Sequence, residues 1–588
     1  MATSALTGWT ITRSSMSNTA IAPVSESEAG TRLHAAAGKL QFLWPLLCLL
    51  IIEIVAFGIN VKRVGVYQDE WIYFGKLHFV PHSLTEIISA LFWDRRIIVR
   101  PLEALHFGPL FFLFWEKPLW YHIVCYVSEW LGACFLFLAL NRLCATPVAL
   151  AGAVLFLVYP THDATHYYIV ASSEHVSATF FTLSLWLYLK GLGERRTALV
   201  AWSALAYFAS VYNYEQTLPL VVLYPLLAWL ALKPGQLTGH QRLWWAAWLA
   251  PFLLIALSMV LYRAWLLPSL KLGWHYSTCY SLSNFLSVVG NGLNVSLSPY
   301  MFSFCISMAR DALKDGLSLA CQALLALAVG AVFICLLKVS KCPASTTGGK
   351  FSVLLLGAVT LVMSYTIFGF SPEHMPSIDT WRNRVNLCGS LGACLLIAGA
   401  VGVLKEAMWA PLRRYADALA SAVVAGLAGL FILVDWQFAK PWVVSWQAQQ
   451  QLMSFLRQHQ AEIKAGDSII IGGITRYASG SAPVVDGVWD FQNLIRTTLN
   501  NQNINGTVVT GRLTCQDRAL VDRSGTLILG TFPFERMILY APDKCQWLRV
   551  HTRQEFLDRA RDLGWQIADS NTARTDRIKP SQGKDTRL

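Results

Sequence analysis

Long apolar runs separated by short polar segments are the main pattern along this chain. The runs have 14 to 22 residues, and about 20 are enough to cross the hydrocarbon core of a bilayer as a helix. Eleven such runs lie at roughly 41–60, 119–140, 146–159, 168–189, 197–212, 216–232, 243–263, 317–338, 352–370, 385–404 and 416–435. The pattern predicts a mainly α, polytopic membrane protein with about eleven transmembrane helices.

Composition supports a membrane protein. The 588 residues are 55% hydrophobic and 14% charged, with a mean hydropathy of +0.44. A soluble chain carries roughly 25% charged residues. We therefore assign the net charge of +12 to loops that orient the helices, and we expect no nucleic-acid partner.

The basic residues between the runs predict the orientation of the helices. One set of connections carries Arg142, Lys190, Arg195, Arg196, Lys233, Arg242, Lys338, Lys341, Lys350, Lys405, Arg413 and Arg414. The alternate connections at 160–167 and 213–215 carry neither Lys nor Arg. The basic set should be cytoplasmic. The N-terminus is then cytoplasmic, and everything after about residue 436 lies outside the cytoplasm.

This orientation divides the chain into segments. Residues 1–40 are rich in Ser, Thr and Ala without an apolar core, so we predict a disordered cytoplasmic N-terminus rather than a cleaved signal peptide. The membrane domain spans 41–435, with outer loops at 61–118, 264–316 and 371–384. We interpret 264–316 as an outer loop with interfacial helices, because Asn, Pro and Gly interrupt its apolar stretches.

The C-terminal part predicts a small α/β domain outside the cytoplasm, over 436–566. An amphipathic helical pattern at 446–463 is followed by a buried strand at 468–471 and a helical pattern at 487–499. The polar tail 567–588 is predicted to be disordered. Cys515 and Cys545 lie in this polar region and could pair if it is extracytoplasmic.

Two adjacent carboxylates, Asp69 and Glu70, follow the first apolar run. Close carboxylates repel each other, and partial burial raises the pKa of one of them. Such a group can accept a proton from a hydroxyl that attacks an anomeric carbon. Alternatively, the pair forms an exposed acidic turn or pairs with the neighbouring basic residues Lys62, Arg63, Arg95 and Arg96.

Arginines in the same loop suit a phosphate ligand. Arg95, Arg96 and Arg100 precede a helix that should begin near Pro101 and direct its N-terminus into the outer vestibule. Guanidinium groups bind phosphate well. The alternative is that these arginines face anionic lipid headgroups.

Several motifs together resemble the GT-C glycosyltransferases, most closely the bacterial relatives of the protein O-mannosyltransferases. The likeness begins with the acidic pair and continues through Arg100-Pro101-Leu102, Trp120-Tyr121-His122, Tyr159-Pro160-Thr161-His162-Asp163, Ile169–His175, Ser210–Glu215 and, more weakly, Gly487–Asn493. In the second motif of this chain, Tyr159 replaces the usual histidine and Ser172 replaces the usual arginine.

The resemblance implies an inverting transferase that uses a polyprenyl-phosphate sugar, with or without weak dependence on a divalent cation. Asp69 would be the base, and Glu70 would orient the acceptor or take over that role. The donor phosphate would be bound by Arg96, Arg100, Arg382 and Arg384. The remaining substrate contacts would come from His106, His162, Asp163 and Glu174, although His166 and His175 could simply cap helix ends. No metal-ligating residues are predicted.

Other functions and locations stay open at this point. A flippase for lipid-linked glycans would place ionisable residues deep in several helices and would contain an inverted repeat, but the sequence has few deep charges, Glu53 and Glu129 among them, and no obvious internal repeat. A degenerate GT-C scaffold would bind a glycan without turnover. The acceptor could be a glycan, a lipid or a protein. Membrane lipids are expected partners, and composition favours a bacterial inner membrane, although sequons at Asn294 and Asn505 also fit an endoplasmic-reticulum protein.

Overall fold

The computed structural model describes residues 43–232, 239–271, 281–340, 349–371, 374–378, 381–479, 482–525 and 527–569. The segment 1–40 and most of the tail, both predicted to be disordered, lie outside the described residues. Contacts divide the chain into two units, Met1–Leu46 and Leu47–Leu588. The packing and the sites below belong to the second unit.

The described part of the chain contains 20 α-helices, counting the first over the whole span Leu43–Asn60. In chain order they are α1 Leu43–Asn60, α2 Asp69–Leu77, α3 Leu84–Phe92, α4 Glu103–Phe114, α5 Pro118–Leu140, α6 Thr146–Leu157, α7 Ala164–Tyr167, α8 Ser172–Glu194, α9 Thr197–Asn213, α10 Leu223–Leu232, α11 Gly239–Leu261, α12 Leu267–Ser269, α13 Leu282–Ser296, α14 Pro299–Lys314, α15 Leu319–Ser340, α16 Gly349–Thr366, α17 Leu387–Ala407, α18 Ala416–Gln458, α19 Val488–Leu499 and α20 Arg553–Asp562.

Seven helical stretches among the described residues are long and apolar enough to span a bilayer, so the chain is an integral membrane protein. They are Leu43–Asn60, Pro118–Leu140, Ala246–Ser269, Leu319–Ser340, Phe351–Phe370, Arg382–Ala407 and Arg413–Gln458. The other four predicted runs are also helical, in α6, α8, α9 and α10, but these helices are shorter or more polar. Eleven spans and their orientation stay predictions.

The polar residues that interrupt the segment 264–316 have partners in the structure. Asn284 Nδ2 donates to the backbone oxygen of Gly369, at 2.8 Å, and Asn291 Nδ2 donates to that of Pro376, at 2.6 Å. Ser281 and Ser298 cap the N-termini of α13 and α14 with their side-chain oxygens. The helices predicted here therefore form, with their amides bonded to the neighbouring 369–376 segment.

The C-terminal region is an α/β module, as predicted. Its strands are β1 Ser468–Ile471, β2 Tyr477–Ala478, β3 Ala482–Pro483, β4 Asn505–Val508, β5 Leu513–Cys515, β6 Ala519–Ser524, β7 Leu527–Pro533, β8 Met537–Ala541, β9 Gln546–Val550 and β10 Ala568–Asp569. One sheet has the order β4-β1-β8-β9, with β1 parallel to both neighbours, and a second has the order β10-β5-β6-β7. No disulfide joins Cys515, which is buried, to Cys545, which is exposed.

The helix α18 connects the membrane part to this module without a break. It runs for 43 residues and contains Pro441, so the predicted boundary at 435/436 falls inside it. Trp442 and Leu456 are buried along its length. The first strand of the module begins only ten residues after the helix ends at Gln458.

The module packs on helix α2 at a very short distance. Trp71, Phe74 and Leu77 of α2 share one buried cluster with Phe491 and other apolar residues of α19. At the crossing, a Cβ on Gly75 would lie 2.6 Å from Cβ of Asn493, inside van der Waals contact. Gly75 therefore sets how closely α2 approaches α19.

We expect Gly75→Ala to destabilise the protein by about 1–3 kcal/mol, because the added methyl overpacks this crossing. The measurement is thermal unfolding of the purified chain in detergent. Gly426→Ala in α18 is the matched control, since a Cβ there meets nothing within 4 Å and alanine favours helix. Equal melting temperatures for Gly75→Ala and the wild type would contradict this packing.

Candidate functional site

Asp69 begins helix α2 and lines a cavity between the membrane part and the module. Its backbone N–H donates to the Tyr168 hydroxyl, at 3.1 Å. The preceding Gln68 has φ of 39°, a strained conformation for a residue with a side chain. The side-chain amide of Gln68 donates to Asp486 of the module, at 3.2 Å. Among the described residues the Asp69 carboxylate accepts no hydrogen bond, so it is open to a substrate.

Glu70 has a different environment. Its side chain is fully buried and accepts hydrogen bonds from the backbone N–H groups of Tyr67, at 2.5 Å, and Val170, at 3.2 Å. Burial raises the pKa of Glu70 well above its usual range, while these backbone donors act in the opposite direction. Glu70 is not among the residues that line the cavity. Its contacts connect the loop before α2 to the turn before α8.

The cavity has a volume of about 570 Å³ and a strongly basic wall. Four arginines line it together with Asp69: Arg96, Arg382, Arg384 and Arg496. Arg382 is exposed, whereas the Arg384 side chain is 16% exposed and its Nε lies 3.8 Å from Oε1 of the buried Glu174. One carboxylate facing four guanidinium groups suits an anionic ligand such as a phosphate.

The module supplies the opposite wall. Trp489, Gln492, Asn493 and Arg496 of α19 line the cavity with Leu527 and Leu529 of β7. The α19 residues have spacings of three, four and seven, which place them on one helical face. The sequence alone could have predicted this shared face, because the four residues lie on one side of an amphipathic helical pattern. No local sequence pattern predicted that Leu527 and Leu529 would line the cavity.

Arg100, also predicted to bind phosphate, is not among the lining residues. Its Nε and Nη2 donate to the two carboxylate oxygens of Glu215, at 2.7 and 3.0 Å, and its guanidinium lies 3.9 Å from the centre of the Tyr214 ring. Arg263 also contacts Glu215, at 2.5 Å. Arg100 thus joins the start of α4 to the segment after α9.

The predicted substrate-binding residues, His106 and three residues of the second motif, lie behind the cavity wall. Asp163 accepts hydrogen bonds from Trp442 Nε1, at 3.0 Å, and from the side chain of Asn383. His106 bonds to Ser172, at 3.0 Å. His162 is buried and Glu174 faces Arg384. None of the four lines the cavity, and Glu174 contacts it only through Arg384.

Asp490 organises the turn that carries the module side of the site. Its carboxylate accepts hydrogen bonds from the backbone N–H groups of Asp486, at 2.6 Å, Gly487, at 2.9 Å, and Phe491, at 2.7 Å. Burial raises the pKa of Asp490 to about 7, against the lowering effect of these donors. The carboxylate therefore fixes the N-terminus of α19, where Trp489 projects into the cavity.

This environment predicts a pH effect on stability. The unfolded Asp490 has a pKa of about 4. The native state then binds more protons than the unfolded state between about pH 4 and 7, so the contribution of Asp490 to stability decreases as the pH rises through that window. We expect the melting temperature of Asp490→Asn to fall less steeply from pH 4 to 7 than that of the wild type. The exposed Asp562→Asn is the control. If the melting temperatures of Asp490→Asn and the wild type changed with pH in parallel, the prediction would be wrong.

Fold and site together define a polytopic membrane protein whose cavity combines one open carboxylate with four guanidinium groups. No family model and no curated protein sequence matches the chain. Among solved structures it is similar to ArnT from Cupriavidus metallidurans bound to undecaprenyl phosphate, with a TM-score of 0.40 and 12% identity over 79% of this chain and 85% of that one.

It is also similar to the oligosaccharyltransferase of Archaeoglobus fulgidus, in the apo form, with a TM-score of 0.40 and 12% identity over 78% of this chain and 64% of that one. The same enzyme tethered to an acceptor peptide with an NVT sequon gives a TM-score of 0.38 and 12% identity over 78% and 63%. This chain thus covers less than two thirds of the oligosaccharyltransferase. Both proteins are GT-C glycosyltransferases.

Proposed function

We propose that this protein is a membrane glycosyltransferase of the GT-C type, which moves a sugar from a polyprenyl-phosphate donor to an acceptor outside the cytoplasm of a bacterial cell. One observation carries the proposal. The Asp69 carboxylate, which accepts no hydrogen bond among the described residues, shares a cavity with Arg96, Arg382 and Arg384. A base and a phosphate-binding group within one cavity are what this transfer requires.

The reaction is a single displacement at the anomeric carbon. The acceptor oxygen forms the new bond to that carbon while its proton passes to Asp69. The bond from the anomeric carbon to the phosphate oxygen breaks, and its electron pair leaves with polyprenyl phosphate. The arginines neutralise the charge that develops on the phosphate, a stabilisation that typically contributes several kcal/mol to lowering the barrier.

Apolar residues in the same cavity support a lipid-linked substrate. Leu527 and Leu529 line it, and Leu527 and Ile528 are 57% and 53% exposed. Exposed aliphatic side chains beside a phosphate-binding wall match a ligand with a charged head and an isoprenoid chain. The acceptor, whether glycan, lipid or protein, would enter between α19 and the Asp69 carboxylate.

The test uses the purified full-length chain in nanodiscs with a set of radiolabelled polyprenyl-phosphate sugars and a membrane extract as the source of acceptors. We expect a new labelled glycosidic product that depends on the protein. Movement of labelled lipid across proteoliposomes without a new bond would instead identify a flippase. Donor binding with neither transfer nor movement would identify a scaffold without turnover.

A further inference from the structure

Three buried histidines converge behind the cavity wall. His162 precedes α7, His166 lies in α7 and His175 lies in the first turns of α8. One ring nitrogen of each lies within 4.8 Å of one ring nitrogen of the other two. The three side chains are at most 4% exposed, and none of them lines the cavity. The proposed transfer reaction does not use this cluster.

The hydrogen bonds of the histidines leave one nitrogen of His162 and one of His166 without partners among the described residues, whereas Nε2 of His175 bonds to Oγ1 of Thr165, at 2.7 Å. His166 Nδ1 bonds to Oε2 of Glu129, at 2.8 Å, and His162 Nδ1 bonds to Oγ1 of Thr165, at 2.9 Å. The Nε2 atoms of both are buried and have no hydrogen-bond partner among the described residues. A buried polar atom without a partner is destabilising. A carboxylate on Nδ1 with a bare Nε2 is the usual arrangement of a metal-ligating histidine.

The charges around the cluster also favour a cation. Glu129 forms ion-pair contacts with His166 and with Nε2 of His175, the latter at 3.2 Å. Glu53 of α1 faces Glu129, and its side chain is buried. In the described part of the chain, neither glutamate pairs with Lys or Arg. A divalent cation beside the histidines would compensate the buried negative charge of Glu129.

We propose that His162, His166 and His175 bind a divalent transition-metal ion, most naturally Zn²⁺, with Glu129 fixing the orientation of His166. Three imidazoles are a common ligand set for zinc, and nitrogens around tetrahedral zinc lie about 3.3 Å apart.

The metal has a structural role that follows from what surrounds it. It joins α7 and α8, and through Glu129 also α5. The residues just after α7 hold the start of α2: the Tyr168 hydroxyl accepts a hydrogen bond from the Asp69 N–H, and the Val170 N–H donates one to the Glu70 carboxylate. A bound ion therefore fixes the segment that positions Asp69, without contacting the substrate.

The experiment measures metal content by mass spectrometry on the full chain, purified without a polyhistidine tag and washed with a mild chelator. We expect about one zinc ion per chain in the wild type and in the exposed control His551→Gln. The double variant His162→Gln/His166→Gln should retain less than about a tenth of that amount. Equal zinc in the double variant and the wild type would overturn the proposal.

A second measurement does not depend on the variants folding. Wild-type protein is stripped with a strong chelator and refilled with Zn²⁺ or Co²⁺. We expect the melting temperature to fall on stripping and to recover on refilling, and the cobalt form to show the visible absorption of a tetrahedral site. Stripped protein that takes up neither ion would show that the histidines form a metal-free core cluster.

Discussion

Asp69→Asn should lower the turnover number for sugar transfer by about a thousandfold, because the amide cannot accept the proton of the attacking hydroxyl. The Asp69 side chain makes no hydrogen bond among the described residues, so the variant should fold and melt like the wild type. The KM for the donor should not rise, since removing a negative charge beside the arginines does not weaken phosphate binding. The measurement is initial rates with labelled polyprenyl-phosphate sugar.

Two control variants distinguish the loss of the Asp69 base from a general loss of folding or activity. Asp311→Asn changes an exposed carboxylate on α14, whose contact is with Lys314, and should leave transfer unchanged. Glu70→Gln should reduce activity through the loop that Glu70 holds, with a lower melting temperature as well. Undiminished transfer by Asp69→Asn would rule out Asp69 as the base. A loss of turnover in Glu70→Gln with an unchanged melting temperature would assign Glu70 a chemical role.

Arg384→Gln should have the second large effect, on both binding and stability. The KM for the donor should rise by about tenfold or more, because a charge-assisted contact to phosphate is lost. The free energy of unfolding should fall by about 3 kcal/mol, because the buried Glu174 loses the charge 3.8 Å away. Donor titrations and thermal unfolding measure the two effects separately.

A double variant distinguishes the two roles of Arg384. Adding Glu174→Gln to Arg384→Gln removes the uncompensated carboxylate, so stability should recover while the donor KM stays high. Arg382→Gln is the matched control: this exposed arginine should affect donor binding with little change in stability. If the double variant regained donor binding, Arg384 would be a structural partner of Glu174 and not a phosphate ligand.

The helical architecture could be predicted from local patterns, and the end of the last membrane helix, α18, could not. Apolar runs specify membrane helices because every backbone group must be bonded within the segment. After residue 434 the polar Asp435, Gln437 and Lys440, followed by Pro441, indicate the end of a span. The helix nevertheless continues to Gln458, because Trp442 and Leu456, which follow Pro441, are buried in the protein. Tertiary packing there outweighs the local signal.

The candidate site was also predictable from the sequence only in part. Asp69 and Arg96 were predicted from charges beside the first apolar run, and Arg382 and Arg384 from the family resemblance; the structure brings the four to one cavity. Arg100 was predicted to join them, yet it pairs with Glu215, 115 positions along the chain. No local pattern encodes a partner so distant. The three-histidine cluster was missed for a related reason, since its separations of four and nine residues match no single helical face or known zinc spacing.

Because helix α18 is unbroken, its length determines where the module lies relative to the membrane part. Successive residues of an α-helix are rotated by about 100°, so inserting one residue beyond the last membrane turn would swing the whole module around the helix axis. Trp489 and Arg496 would then leave the side of the molecule where Asp69 lies. A whole extra turn would restore the orientation but would move the module about 5.4 Å along the helix axis, away from α2. The length of the helix between bilayer and module is therefore as much a part of the site as the side chains are.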